Sequence, residues 1–265
     1  MKQPIRIGAL ISGGGSNLQA IINACTDGRI DGQVVIVGAD NPGARGIEKA
    51  RQHGIATFVV DYGAIIDGVR TNPEKLPLPA DFNFDELLTK QALLSSRSDL
   101  TKTRAFLMSR VAAEAQLLHA VRPYALDLLV LAGFMRNLSP YFIDRVNTDS
   151  DRPRIMNIHP SLLPAFGGTD GYGDTFRYGC KVGGCTVHFI DYGEDTGPII
   201  GQRAFPVLPG DSIDSIRKKG LQLEWELYPE CIQLFAAGRL KLVKKTYELG
   251  GGRTMERKVV EISFI

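Results

Sequence analysis

The chain has 265 residues, 44% hydrophobic and 23% charged, with a formal net charge of +2. That length and balance suit an ordinary globule with one good core, or one core plus a small appendage. Near-neutral charge without a long basic run speaks against nucleic acid as a partner, because phosphate-backbone binding needs clustered Lys and Arg. A small anionic ligand held by backbone amides is not excluded.

No segment is long and apolar enough to span a bilayer. Met1-Lys2-Gln3-Pro4 leads straight into a strand-like run, without the ordered regions of a secretory leader. Cys25, Cys180, Cys185 and Cys231 are scattered without C-x-x-C spacing, so a reduced, cytoplasmic setting is expected. Cys180 and Cys185, with His188 nearby, fit no common metal-site spacing.

Residues 5–12 read as a short buried strand ended by glycines. Gly13-Gly14-Gly15-Ser16-Asn17 follows, and the apolar spacing from Leu18 onward is helical. A strand, a glycine turn and a helix start form a ready anion site, since the backbone comes close and free N–H groups favour a phosphate. The plain alternative is a tight turn with Ser16 or Asn17 as the N-cap. It is not a Walker loop, as no Gly-Lys-Ser/Thr follows. As a dinucleotide fingerprint it is incomplete, with Leu18 where the third glycine belongs.

Residues 34–39 form the second predicted strand, 44–53 a helix and 57–60 the third strand. The β-α-β-α-β order implies a parallel sheet with right-handed crossovers. From residue 62 to about 101 the rhythm breaks. Asn72-Pro73 and Pro77-Leu78-Pro79 are turn formers, followed by an amphipathic piece around Phe84, Leu87 and Leu88. This reads as an insertion with little regular structure at its start: a lid, an interaction surface or a decorated loop. Leu107, Val111, Leu118 and Val121 predict a helix over 104–121. Residues 127–132 are the fourth strand. The loop Gly133-Phe134-Met135-Arg136-Asn137-Leu138 follows at its C-terminal end, where open α/β sheets bind ligands. Ser139-Pro140 opens the next helix.

The stretch Arg154-Ile155-Met156-Asn157-Ile158-His159-Pro160 is a short apolar strand stopped by proline. Asn157 and His159 are two apart and share a face. An amide and an imidazole side by side suit carbonyl polarisation and proton movement. The plain alternative is a turn-capping Asn and a His satisfied by the backbone. Residues 165–184 are glycine-rich and read as a surface loop near the site. Residues 185–190 and 199–207 are strands around the acidic turn Asp191-Tyr192-Gly193-Glu194-Asp195-Thr196-Gly197-Pro198. A carboxylate of that turn could lie against His159, raise its pKa and keep it protonated. Otherwise Glu194 and Asp195 are turn formers. A long helix starts at Asp211-Ser212-Ile213 and runs to about 234, with Pro229 as a possible kink. Leu240-Lys241-Leu242-Val243 and Val259-Val260-Glu261-Ile262-Ser263-Phe264 flank Gly250-Gly251-Gly252 as a hairpin-like tail.

Several of these stretches together resemble the folate-dependent formyltransferases. They are Ile11-Ser12-Gly13-Gly14-Gly15-Ser16-Asn17-Leu18, Leu131-Ala132-Gly133-Phe134-Met135-Arg136, Asn157-Ile158-His159-Pro160-Ser161-Leu162-Leu163-Pro164 and Asp195-Thr196-Gly197-Pro198-Ile199-Ile200, in the family's order. The resemblance is strongest to members whose acceptor is glycinamide ribonucleotide, and covers roughly residues 5–62 and 103–242. It implies an α/β, Rossmann-like, mostly parallel twisted sheet with helices on both faces. The formyltransferase domain would span 1–242, with an insertion at about 63–101, and the tail 243–265. It implies transfer of a formyl group from 10-formyltetrahydrofolate, a co-substrate, to the ribonucleotide's amine in purine biosynthesis, with no metal and no nucleic acid or membrane partner. A monomer or homodimer is expected.

Residue by residue, Asn157, His159 and Asp195 match the family's catalytic trio. Gly13, Gly14, Gly15, Ser16 and Asn17 would cradle the ribonucleotide phosphate, and Glu224 would bind its ribose side. Met135, Arg136, Asn137 and Leu138, with Asp191, Tyr192, Gly193 and Glu194, would line the folate pocket largely through backbone. The family's pocket arginine falls at Arg110 by ungapped counting, with Arg104 the weaker possibility. The chain departs from many relatives in lacking a histidine in Gly167-Gly168-Thr169-Asp170-Gly171-Tyr172-Gly173-Asp174.

Formyltetrahydrofolate deformylase would add an N-terminal regulatory domain, and methionyl-tRNA formyltransferase a C-terminal RNA-binding domain. A sugar-nucleotide formyltransferase shares the Asn-His-Asp chemistry. An NAD-binding oxidoreductase would use the glycine turn for pyrophosphate and Asp40 for a ribose. A non-enzymatic module would bind folate or ribonucleotide without turnover.

Overall fold

The computed structural model describes residues 3–94 and 99–263. Strands β1 (Ile5–Ile11), β2 (Gly32–Ala39), β3 (Ala56–Val59), β4 (Leu128–Leu131), β5 (Ile155–His159), β6 (Val182–Phe189) and β7 (Ile199–Pro206) form one sheet. Its order is β3-β2-β1-β4-β5-β6-β7. Pairings from β3 to β5 are parallel, while β5–β6 and β6–β7 are antiparallel. The expected α/β architecture with a mostly parallel sheet is present, its last two pairings antiparallel. The chain moves outward from β1 to β3, then returns to place β4 on the other side of β1. Such a reversal opens a crevice at the strand ends. Here the two loops at that crevice are tied together: Ser12 N–H donates to Gly133 O at 3.0 Å, and Met135 N–H to Ser12 Oγ at 2.8 Å.

Helices cover both faces, so the inner strands are apolar on both sides. Ile7, Ala9 and Ile11 pack toward α1 (Ser16–Thr26), α2 (Gly46–Gln52) and α8 (Ile213–Ala236). Leu10, Leu129, Leu131 and Ile155 face the opposite way, toward α3 (Tyr62–Thr71), α5 (Leu100–Val121) and α6 (Pro140–Val146). The period of two along each strand sends neighbours to opposite layers.

Several expectations need correction. The start of the insertion is not irregular: α3 begins at Tyr62, capped by Asp61, whose side chain accepts from Ala64 N–H. Gly63 and Gly68 within it weaken the helical signal. The amphipathic piece is α4 (Phe84–Lys90). Residues 95–98 of the expected insertion lie outside the described residues. The next helix, α5, starts a turn before 104, because Asp99 caps it through Thr101 and Lys102 N–H. The glycine-rich stretch 165–184 is not all loop. It contains α7 (Gly171–Arg177), whose Tyr172 and Thr175 are buried. The N-cap of α1 is Gly15, with φ of +68°, rather than Ser16 or Asn17.

The tail is an antiparallel hairpin of β8 (Leu240–Glu248) and β9 (Thr254–Ile262), turned by left-handed Gly250, Gly251 and Gly252. Because β8 starts at Leu240, a boundary after 242 would cut a strand. Leu240 and Val260 also pack on the main core. Phe264 lies outside the described residues. Among the described residues, no helix is long and apolar enough to cross a membrane.

Candidate functional site

The end of β5 presents Asn157 and His159 on one side, and the turn after β6 brings Asp195 to them. Asp195 Oδ2 is 3.2 Å from His159 Nδ1, and Gly168 N–H donates to the same oxygen at 2.8 Å. On the other side of the ring, His159 Nε2 is 2.8 Å from Phe166 O. Phe166 and Asp195 have φ of +54° and +52°. Two non-glycine residues in left-handed backbone thus flank one imidazole, a strained arrangement held by its surroundings.

A residue outside the expected set joins them. Antiparallel register puts His188 opposite Asn157, with its Nε2 3.3 Å from Asn157 Nδ2 and 3.6 Å from Asp195 Oδ1. His188 Nδ1 lies 2.9 Å from Phe189 O. A carbonyl only accepts, so Nδ1 carries the proton and a neutral His188 accepts from the Asn157 amide. Only the pairing of β6 against β5 reveals this contact, and a single sequence does not state it.

The Asp195 carboxylate does raise the His159 pKa as expected, but the expectation that this keeps the ring protonated is corrected. Burial of the ring outweighs the Asp195 charge, so the imidazole sits below its ordinary value. Yet both ring nitrogens face acceptor oxygens, so its contacts are complete only when it carries both protons. Burial also raises Asp195, but the hydrogen bond from Gly168 N–H and the nearby His159 hold it below the usual carboxylate value.

Asn157, His159 and Asp195 line a cleft of about 510 Å³ at the crevice between β1 and β4, a volume typical of small-ligand sites. One end is formed by Gly13, Gly14, Gly15, Ser16 and Asn17, with Glu224 from α8. Gly15 needs its left-handed φ, and any Cβ there would meet Gly46 Cα at 2.9 Å. Asn17 Nδ2 donates to Glu224 Oε2 at 2.6 Å, and Tyr172 OH donates to Glu224 Oε1 at 2.6 Å. Asn17 Oδ1 is buried without a partner. Burial raises the Glu224 pKa against the pull of those two donors.

The other end holds the loop after β4. Met135, Arg136, Asn137 and Leu138 line it, facing Asp191, Gly193 and Glu194. Asn137 Nδ2 donates to Glu194 Oε1 at 3.0 Å, linking the two walls. Tyr192 does not join the lining. Its hydroxyl donates to Asp144 at 2.5 Å, and its carbonyl accepts from Ala92 N–H. Arg110 faces the cleft from α5, held between the Phe106 and Tyr62 rings, with Nε and Nη1 buried and unpartnered. Burial lowers its pKa. Arg104 instead stacks on Phe84 at 4.7 Å, outside this cleft.

Asp40, considered for a nicotinamide-nucleotide ribose, is not free for one. It is 1% exposed and accepts from Arg136 Nε at 2.6 Å and Asn41 Nδ2 at 2.8 Å. Leu18, in the third-glycine position, is fully buried in the core.

The Formyl transferase family model matches residues 5–232. The chain is 36% identical over 249 residues to phosphoribosylglycinamide formyltransferase of Escherichia coli (strain K12), covering 94% of this chain and 95% of that protein. It is 34% identical over 235 residues to the trifunctional purine biosynthetic protein adenosine-3 of Drosophila melanogaster, covering 88% of this chain but only 14% of that longer protein. The crystal structure of glycinamide ribonucleotide transformylase 1 from Symbiobacterium toebii superposes with a TM-score of 0.71 at 36% identity, covering 99% of this chain and 95% of that one. With its mixed seven-stranded sheet and the cleft at the β1–β4 crevice, the chain belongs to the formyl transferase family.

Proposed function

We propose that the chain transfers the formyl group of 10-formyltetrahydrofolate directly to the amine of glycinamide ribonucleotide. The observation that carries this reading is the convergence of Asn157, His159 and Asp195 in one cleft that the glycine turn and the loop after β4 also line. The glycine-turn end suits a phosphate: α1 has no side-chain cap, so its first N–H groups remain for an anion. Glu224 beside it suits ribose hydroxyls. The β4-loop end offers backbone and the unpartnered guanidinium of Arg110 to a pterin that carries a carboxylate tail.

In the reaction, the acceptor amine attacks the formyl carbon, and negative charge grows on the formyl oxygen. Asn157 donates to that oxygen, its amide held by His188. His159 adds a second donor by exchanging the Phe166 carbonyl for the formyl oxygen. Asp195 stabilises the charged imidazole and relays the proton lost by the amine to the departing folate nitrogen as the old carbon–nitrogen bond breaks. No covalent enzyme intermediate is required.

The test is a folate absorbance assay with 10-formyl-5,8-dideazafolate, offered glycinamide ribonucleotide or an amino-sugar nucleotide, with nicotinamide absorbance followed in parallel. Turnover with glycinamide ribonucleotide alone is expected. Preference for the sugar nucleotide, or a nicotinamide signal, overturns the reading.

A further inference from the structure

The Glu224 carboxylate, 5% exposed, is held by two donors from different parts of the chain, Asn17 and Tyr172. Tyr172 belongs to α7, within the stretch that resembles loop in the sequence. Its ring crosses α8 at Gly220, about one helical turn before Glu224. A Cβ on Gly220 would lie 2.1 Å from Tyr172 Cζ and 2.3 Å from its hydroxyl oxygen. The ring therefore fits only because position 220 has no side chain. Two residues earlier, Asp170 accepts from Arg217 of α8 at 3.2 Å, so the segment is clipped to that helix at two points. Arg217, Tyr172 and Glu224 all line the cleft.

We propose that Tyr172 is a positioning residue for the acceptor, fixing the Glu224 carboxylate so that its remaining lone pairs receive the ribose hydroxyls. The inference rests on reading Glu224 as the ribose-binding group. A carboxylate has about four acceptor positions, and the two protein donors occupy one on each oxygen. They stop the group from rotating and leave one position on each oxygen for the substrate. The phenol touches neither reacting atom, so it governs acceptor binding rather than chemistry.

The experiment is steady-state kinetics of the full chain and its Tyr172→Phe variant. The acceptors are glycinamide ribonucleotide and its 2′,3′-dideoxy analogue. Loss of a hydrogen bond to a charged group predicts a roughly tenfold rise in KM for glycinamide ribonucleotide. The kcat and the KM for the formyl donor stay unchanged, and the dideoxy acceptor shows the same KM with and without the substitution. Gly220→Ala, which removes no polar group and favours the helix, reproduces the rise by displacing the ring. An unchanged acceptor KM in Tyr172→Phe, beside a raised one in Glu224→Gln, overturns the role of the phenol and leaves the ribose reading intact. An unchanged KM in Glu224→Gln overturns both. An equal rise with the dideoxy acceptor shows a structural effect and also overturns the proposal.

Discussion

At the scale of single residues, the site depends on what surrounds each polar group rather than on its identity alone. Asn157 has its amide pinned by His188, so its second N–H is fixed before any substrate arrives. Preorganised donors are the ones that matter most to a developing oxyanion. Asn157→Ala is expected to lower kcat on the order of a hundredfold or more while barely moving either KM. Stopped assays at saturating substrates measure this directly, and near-normal kcat would contradict the assigned role. Much of this site was legible in the residues themselves. Asn157 and His159 announce a shared face through their spacing, and the acidic turn is the natural source of a carboxylate. His188 was hidden because its contact depends on antiparallel register, which is a long-range property. Tyr172 was hidden because Gly171 and Gly173 beside it mask a helix.

At the scale of elements, α2 buttresses the glycine turn. Gly46 N–H donates to Gly13 O at 2.9 Å, and a Cβ on Gly46 would lie 2.6 Å from Ile11 Cδ1 and 3.0 Å from Gly15 Cα. Backbone cannot yield as a flexible side chain can, so the turn itself must move. Gly46→Ala is expected to destabilise by about 1–3 kcal/mol through overpacking, and to raise the acceptor KM far more than the donor KM. Denaturant melts and two-substrate kinetics check both effects.

A second element-scale device joins α5 to the start of α6. Glu114 is fully buried and accepts from Ser139 N–H at 2.7 Å and Ser139 Oγ at 2.5 Å. Burial, the largest influence, pushes its carboxyl from 4.5 up to about 7. Between those values the folded protein holds a proton that the unfolded chain releases. The stability this group contributes is therefore fully present below the lower value and lost as pH rises through the upper one. The shift corresponds to about 3 kcal/mol. Glu114→Gln keeps one acceptor and one donor for Ser139 but cannot titrate. Urea melts across this range should show the parent losing stability with rising pH relative to the variant. Parallel curves would contradict the assignment. Element boundaries followed the same logic in the sequence. Apolar periodicity located α5 and the strands, whereas the caps Asp61 and Asp99 set where helices begin and carried a weaker signal.

At the scale of the whole molecule, the reversal of strand order between β3 and β4 places the loops after β1 and β4 beside each other. The β-α-β-α-β rhythm made the parallel half of the sheet legible. The strand order and the antiparallel turn back through β6 and β7 were not, since neither leaves a local mark. The same topology lines one cleft with the glycine turn, the loop after β4 and Asn157, so donor and acceptor would meet there without a carrier on the protein. The most direct measurement supplies 10-formyltetrahydrofolate labelled with carbon-13 in the formyl group, together with unlabelled glycinamide ribonucleotide. Label is expected on the ribonucleotide amine in equal amount to the tetrahydrofolate formed. Labelled formate released into solution beside unmodified ribonucleotide would contradict it.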